Sequence, residues 1–172
     1  MIQLFVLGSP DLRRADGQEV RSVLVQPKRV ALLAYLAVAA PGAFHRRDSL
    51  VALFWPELDA EHARAALRNG IYQLRQALGP EAVETRGAEE VRLAEGSCWC
   101  DALEFQRALA DGRLDEAVAL YRGDLLAGLH VEGAPGVEHW LDRERDRLRE
   151  AAARAGWALA ERELAADDDA AA

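Results

Sequence analysis

Three arginines, Arg64, Arg68 and Arg75, follow one another at intervals of four and seven residues, in a stretch from Ala63 to Leu78 that holds no Asp or Glu. At ~100° per residue they share one stripe of a helix, flanking an apolar arc formed by Leu67, Ile71, Leu74 and Leu78. Asn69, Tyr72 and Gln76 fall roughly opposite the leucines. A helix seated on a core by that arc turns guanidinium, amide and phenol groups outward. Guanidinium suits phosphate oxygens and guanine edges, and with an amide and a phenol beside it this is the chemistry of a helix that reads the DNA major groove.

Any surface helix has an apolar stripe and a charged remainder, but a solvated one usually mixes signs to gain pairs at i,i+4. This stretch does not. The segment before it begins with Arg46-Arg47, and further cations stand at Lys28, Arg86 and Arg92. The expected DNA-contacting set is therefore Arg64, Arg68, Asn69, Tyr72 and Arg75 on the reading helix, with Asn69 and Tyr72 nearest base edges. Lys28, Arg47, Arg86 and Arg92 are expected phosphate clamps. Arg47 reads equally well as a salt bridge within a small core.

The elements that must hold these residues follow from pattern. Ile2 to Leu7 reads as a strand, and Asp16-Gly17 as a hairpin turn between Leu12 to Ala15 and Glu19 to Val25, giving three short antiparallel strands. Pro27 suits a first helical position, and helical spacing from there runs to about Ala40, before Pro41-Gly42. A second helix runs from about Arg47 to Phe54. A third runs from Ala60 to Leu78, capped by Asp59 and ended by Gly79-Pro80. Ala82 to Thr85 and Val91 to Leu93 read as a second hairpin. Beyond it Leu103 to Ala110, Leu114 to Leu120 and Val137 to Ala166 are helical, separated by Asp111-Gly112 and a glycine-rich stretch from Gly128 to Gly136. Residues 167 to 172 read as a frayed acidic tail.

Charge divides the chain. Residues 1–97 are neutral overall, and the net charge of −8 resides in residues 98–172. An acidic total does not exclude DNA binding, which depends on the local cationic patch, but it excludes indiscriminate nucleic-acid affinity. Cys98 and Cys100, the only cysteines, are too few and too close for a zinc site and read as small apolar side chains in a strand. The four tryptophans read mainly as core residues. Neither a membrane-spanning run nor a signal peptide is visible, so a cytoplasmic protein is expected. With scattered histidines and no phosphate-binding glycine loop, no enzyme, cofactor or metal site is expected.

The run Arg47-Asp48-Ser49-Leu50-Val51-Ala52-Leu53-Phe54-Trp55-Pro56, followed by Ala63-Arg64 through Leu74-Arg75, resembles the OmpR/PhoB-type winged helix in the form found in the SARP family of bacterial transcriptional regulators. The second half resembles the bacterial transcriptional activator domain that follows it there, on Trp99-Cys100-Asp101 through Glu104-Phe105, on Leu120-Tyr121-Arg122-Gly123-Asp124-Leu125-Leu126, and on Trp140 with Glu144-Arg145 and Arg147-Leu148. The resemblance implies a DNA-binding regulator, often an activator, that binds promoter repeats in double-stranded DNA and contacts RNA polymerase. It places the reading helix at Ala63 to Leu78 and the wing at Thr85 to Leu93. Three departures stand out. Gly70 interrupts the reading helix, at about 1 kcal/mol relative to Ala. Glu89 and Glu90 occupy the wing where relatives often carry Gly and Tyr. The helical module also ends early.

The expected architecture is an α+β winged helix-turn-helix domain over residues 1–97, followed over 98–172 by an all-α helical-repeat (TPR-like) module, a truncated activator domain. An apolar stripe from Val137 to Leu159 exceeds what the preceding helices can cover, so part of it near Trp157 is expected to stay exposed. Residues 137–164 would then meet a second copy or a partner helix. The rival reading is a helical-repeat protein-interaction module whose winged helix no longer binds DNA.

Overall fold

The computed structural model describes the backbone of residues 2–171 and the side chains of residues 2–166. It is a mixed α/β structure with two small sheets. The first sheet joins β1 (Ile2–Phe5), antiparallel β2 (Asp11–Arg13) and a strand from far along the chain. Next come α1 (Arg21–Leu24), α2 (Pro27–Val38), β3 (His45–Arg46), α3 (Arg47–Phe54), α4 (Ala60–Leu78), and the hairpin β4 (Val83–Arg86) and β5 (Glu90–Leu93). The second sheet is antiparallel in the order β3-β5-β4, with His45 opposite Val91. β6 (Cys98–Cys100) then returns to pair in parallel with β1, so that Leu4 lies between Leu12 and Cys100 on a buried face. The chain ends in α5 (Asp101–Ala110), α6 (Leu114–Leu120) and α7 (Pro135–Ala171).

The amino-terminal sheet corrects the three-strand expectation. The Asp16-Gly17 turn forms, with Gly17 at φ +84° and Arg14 N–H donating to the Gln18 carbonyl at 2.9 Å. After a single bridge between Arg13 and Glu19 the chain coils into α1 instead of continuing as a strand. Val20 and Val23, three apart, are both buried. Helical spacing sends both inward, whereas a strand would put them on opposite faces. The third strand is supplied by β6, which carries the two free cysteines. Burial pushes their thiols up, to about 11 for Cys98 and about 12 for Cys100.

One apolar core runs through both parts of the chain, from Leu4, Leu33 and Leu67 to Phe105, Leu126 and Leu141. The expected boundary at 97 falls just before β6, in the connection that carries the chain back to the first sheet. Asp101 opens α5 fully buried, its carboxylate accepting from Val6 N–H at 2.8 Å and Leu7 N–H at 3.1 Å. The Tyr35 ring of α2 meets Trp140 of α7 edge-on at 4.9 Å. Gly136, at the start of α7, lies so close to Leu53 that a Cβ there would come within 2.9 Å of its methyl.

Along α7, Val137, Leu141, Leu148 and Ala155 are buried, while Trp157 stays 74% exposed and Leu164 67%. Trp157 is thus no core residue, and it and Leu164 are exposed because they stand about 200° and about 180° round the helix from Val137. The stripe itself stays covered through half-buried Leu159 to Arg162, which pairs with Asp115 of α6 at 2.5 Å. The expected acidic tail has a helical backbone to Ala171, and its side chains and Ala172 lie outside the described residues.

Candidate nucleic-acid interface

Helix α4 is fixed at both ends and along one side. Asp59 caps it, its carboxylate accepting from Glu61 N–H at 3.1 Å and His62 N–H at 3.0 Å, which satisfies donors the first turn leaves free. Leu67, Ile71 and Leu74 are buried, and Gly79 at φ +117° ends the helix. Gly70, a departure at the sequence level, has a packing role: a Cβ there would stand 3.3 Å from Leu32 and 3.9 Å from the Trp55 ring. Its absence lets α4 lie close on α2 and on the turn after α3. The opposite side presents Arg68, Asn69, Tyr72 and Gln76, all exposed, Tyr72 by 56%.

Beside this face lies a cleft of about 210 Å³ between the start of α3, the first half of α4 and the β4–β5 turn. Four arginines line it, Arg46, Arg47, Arg64 and Arg68, against two carboxylates, Asp48 and Glu89. The hairpin turn is tied to α3 by Arg47 N–H donating to the Glu89 carbonyl at 2.8 Å. Arg47 makes no salt bridge among the described residues, and its Nε is buried without a hydrogen-bond acceptor. Burial lowers its pKa, and the neighbouring charges of Arg75 and Arg68 lower it further. The cleft therefore gathers like charge that an anion would relieve. Arg64 reaches Asp48 only at 3.7 Å, with both side chains largely in water, so this pair is weak and screened.

The remaining cations stand elsewhere or are engaged. Arg75 is half-buried, its Nε and Nη2 donating to the Val83 carbonyl at 3.1 and 2.7 Å, so it fastens α4 to β4. Arg86 pairs with Glu90 at 2.6 Å and Arg92 with Glu84 at 2.7 Å, and both guanidiniums lie 4.5 Å from the Phe44 ring. The hairpin thus carries its cations neutralised. Lys28 lies on the other side of α4, 2.5 Å from Glu57 and 6.0 Å from the Trp55 ring. It shares with Asn69 a separate groove closed by His130 and Glu132.

Of the residues singled out from sequence, the structure brings together Arg47, Arg64 and Arg68, with Asn69 and Tyr72 on the adjoining face. It sets Lys28, Arg86 and Arg92 apart. Arg46 and Gln76 were missed as site residues. Arg46 was signalled by the doublet it makes with Arg47, and Gln76 by its place opposite the leucines. No protein-family model matches the chain, and no curated protein matches it. No helix among the described residues is long and apolar enough to cross a membrane.

Proposed function

We propose that this chain is a sequence-specific regulator of transcription, of the activator type, that binds double-stranded DNA by laying α4 in the major groove. In this reading residues 1–97 are a winged helix-turn-helix, with α3 and α4 as its helix pair and β4–β5 as the wing. Residues 98–172 are a helical-repeat module, and the chain works in the cytoplasm as the SARP resemblance implies. The observation that carries the reading is the convergence of Arg46, Arg47, Arg64 and Arg68 on one cleft beside an exposed polar helix face. A phosphate in that cleft offsets the mutual repulsion at Arg47, and α4 then faces base edges. Contact with RNA polymerase is part of the same proposal and rests on the resemblance alone.

The rival reading, a protein-interaction module, draws on the exposed Trp157 and Leu164 and on the neutralised hairpin cations. A second copy or a partner helix would dock there. An electrophoretic shift with a library of promoter fragments separates the two. The DNA-binding reading expects shifted species that Arg47→Ala and Arg68→Ala each weaken about tenfold or more, on the scale of charged phosphate and base contacts. Unchanged shifts with both variants would dismiss the cleft, and no shift at all would favour the interaction module.

A further inference from the structure

Two amides share the outward face of α4 with the cations. Asn69 and Gln76 are both exposed, and among the described residues no hydrogen bond engages either side-chain amide. They stand seven residues apart, so they differ by only about 20° around the helix and by about 10.5 Å along it. That length matches roughly three base-pair steps of about 3.4 Å, and residues so spaced on other groove-lying helices read bases about two steps apart. Tyr72 lies between them on the same face. Arg68 stands at one end of the face and the exposed Arg14, in one hollow with Gln76, at the other, while on its far flank Asn69 borders the groove lined by Lys28, Glu57 and Glu132.

The remaining arginines are placed for other work. Arg47 sits down in the cleft, Arg64 leans toward Asp48, and Arg75 is fastened to Val83. Arg68 and Tyr72 are also free on this face among the described residues, but only the amides pair one donor with one acceptor in a single planar group. A side-chain amide offers one acceptor beside one donor. Adenine answers both, its N6–H donating to the amide oxygen and its N7 accepting from the amide NH₂, whereas guanine presents two acceptors there. Gln76 has one methylene more than Asn69 and stands near the end of α4, where a straight helix leaves the floor of a curved groove and a longer arm is needed.

Resting on the DNA-binding reading above, we infer that α4 reads two A·T pairs two to three steps apart, Asn69 pairing with one adenine and Gln76 with the other. Selection of bound duplexes from a random pool tests this with the whole chain and with Asn69→Ala, Gln76→Ala and Gln76→Arg. The parent protein enriches two A·T pairs at that spacing. Asn69→Ala loses preference at one position only and Gln76→Ala at the other only, each binding the parent's site about tenfold more weakly. Gln76→Arg turns its position toward G·C, since a guanidinium matches guanine O6 and N7. If both alanine variants enrich the parent's sequences with the parent's affinity, the inference is overturned while DNA binding stands. If none of the four proteins enriches any sequence, the DNA-binding reading fails and takes the inference with it.

Discussion

Asp101 and His45 show how single side chains set the conditions under which the fold holds. Asp101 answers two backbone N–H groups just past the end of β1 and is fully buried. Burial raises its pKa, against the pull of the Val6, Leu7 and Ala102 amides and of Arg122 at 3.6 Å. Asp101→Ala leaves two buried donors unanswered and should cost about 3 kcal/mol in chemical denaturation. An unchanged midpoint would mean that those amides find other acceptors. His45 has a buried Nε2 with no partner, and burial lowers its pKa. The neutral ring is thus favoured in the folded state. Its contribution is fully present above the unfolded value of about 6.5 and is lost as pH falls through the lowered folded one. Melting temperature should decline with acidification below about pH 6.5, less steeply in His45→Leu, and equal slopes for the two proteins would assign the decline to other groups. At the site, angular position alone grouped Arg75 with Arg64 and Arg68. Its fastening to Val83 depends on where a carbonyl from another element falls, which no spacing rule supplies.

The longer helices were legible because each buries a face whose period is written in adjacent residues, whereas the one-turn α1, read as a strand, is too short to show a period. Asp59, Leu67, Ile71, Leu74 and Gly79 gave α4 its cap, its buried side and its end, as the structure has them. Strand pairing was legible only where partners are neighbours in the chain, as in β4 and β5. The parallel pairing of β1 with β6 joins residues more than ninety positions apart, and no local pattern encodes a parallel partner at that distance. Gly70 is the clearest case of an element's need overriding local preference. Alanine there gains helix propensity of about 1 kcal/mol but meets Leu32 at 3.3 Å, so Gly70→Ala should change stability little. Gly70→Leu has nowhere to go between Leu32 and Trp55 and should cost about 1–3 kcal/mol by overpacking. If Gly70→Leu melted with the parent protein, α4 would not be seated as closely as described, and the direction of its outward face would be in question.

On the scale of the whole molecule, the cationic cleft is held by parts of the chain far from it. Leu126 N–H donates to the Val6 carbonyl at 2.7 Å, Trp140 covers Tyr35, and Gly136 lets α7 touch α3. A fragment of residues 1–97 lacks β6, Asp101, Leu126 and Trp140, and leaves bare the apolar surface they cover. It should lose cooperative unfolding or melt well below the full chain. A fragment that unfolded cooperatively at the full chain's temperature would show that the first part stands alone. On the DNA-binding reading, the acidic second part limits non-specific attraction, and affinity would come from the few cations the fold concentrates beside α4. Their number has a direct thermodynamic signature. With about four to six phosphates neutralised, at about −0.9 per contact, the logarithm of the binding constant should fall against the logarithm of salt concentration with a slope of roughly −4 to −5. Titrating the full chain onto a selected duplex at several salt concentrations measures that slope. The account predicts this value, reduced by about one in Arg47→Ala. A flat dependence, or a slope that Arg47→Ala leaves unchanged, would contradict the claim that this cleft holds the DNA backbone.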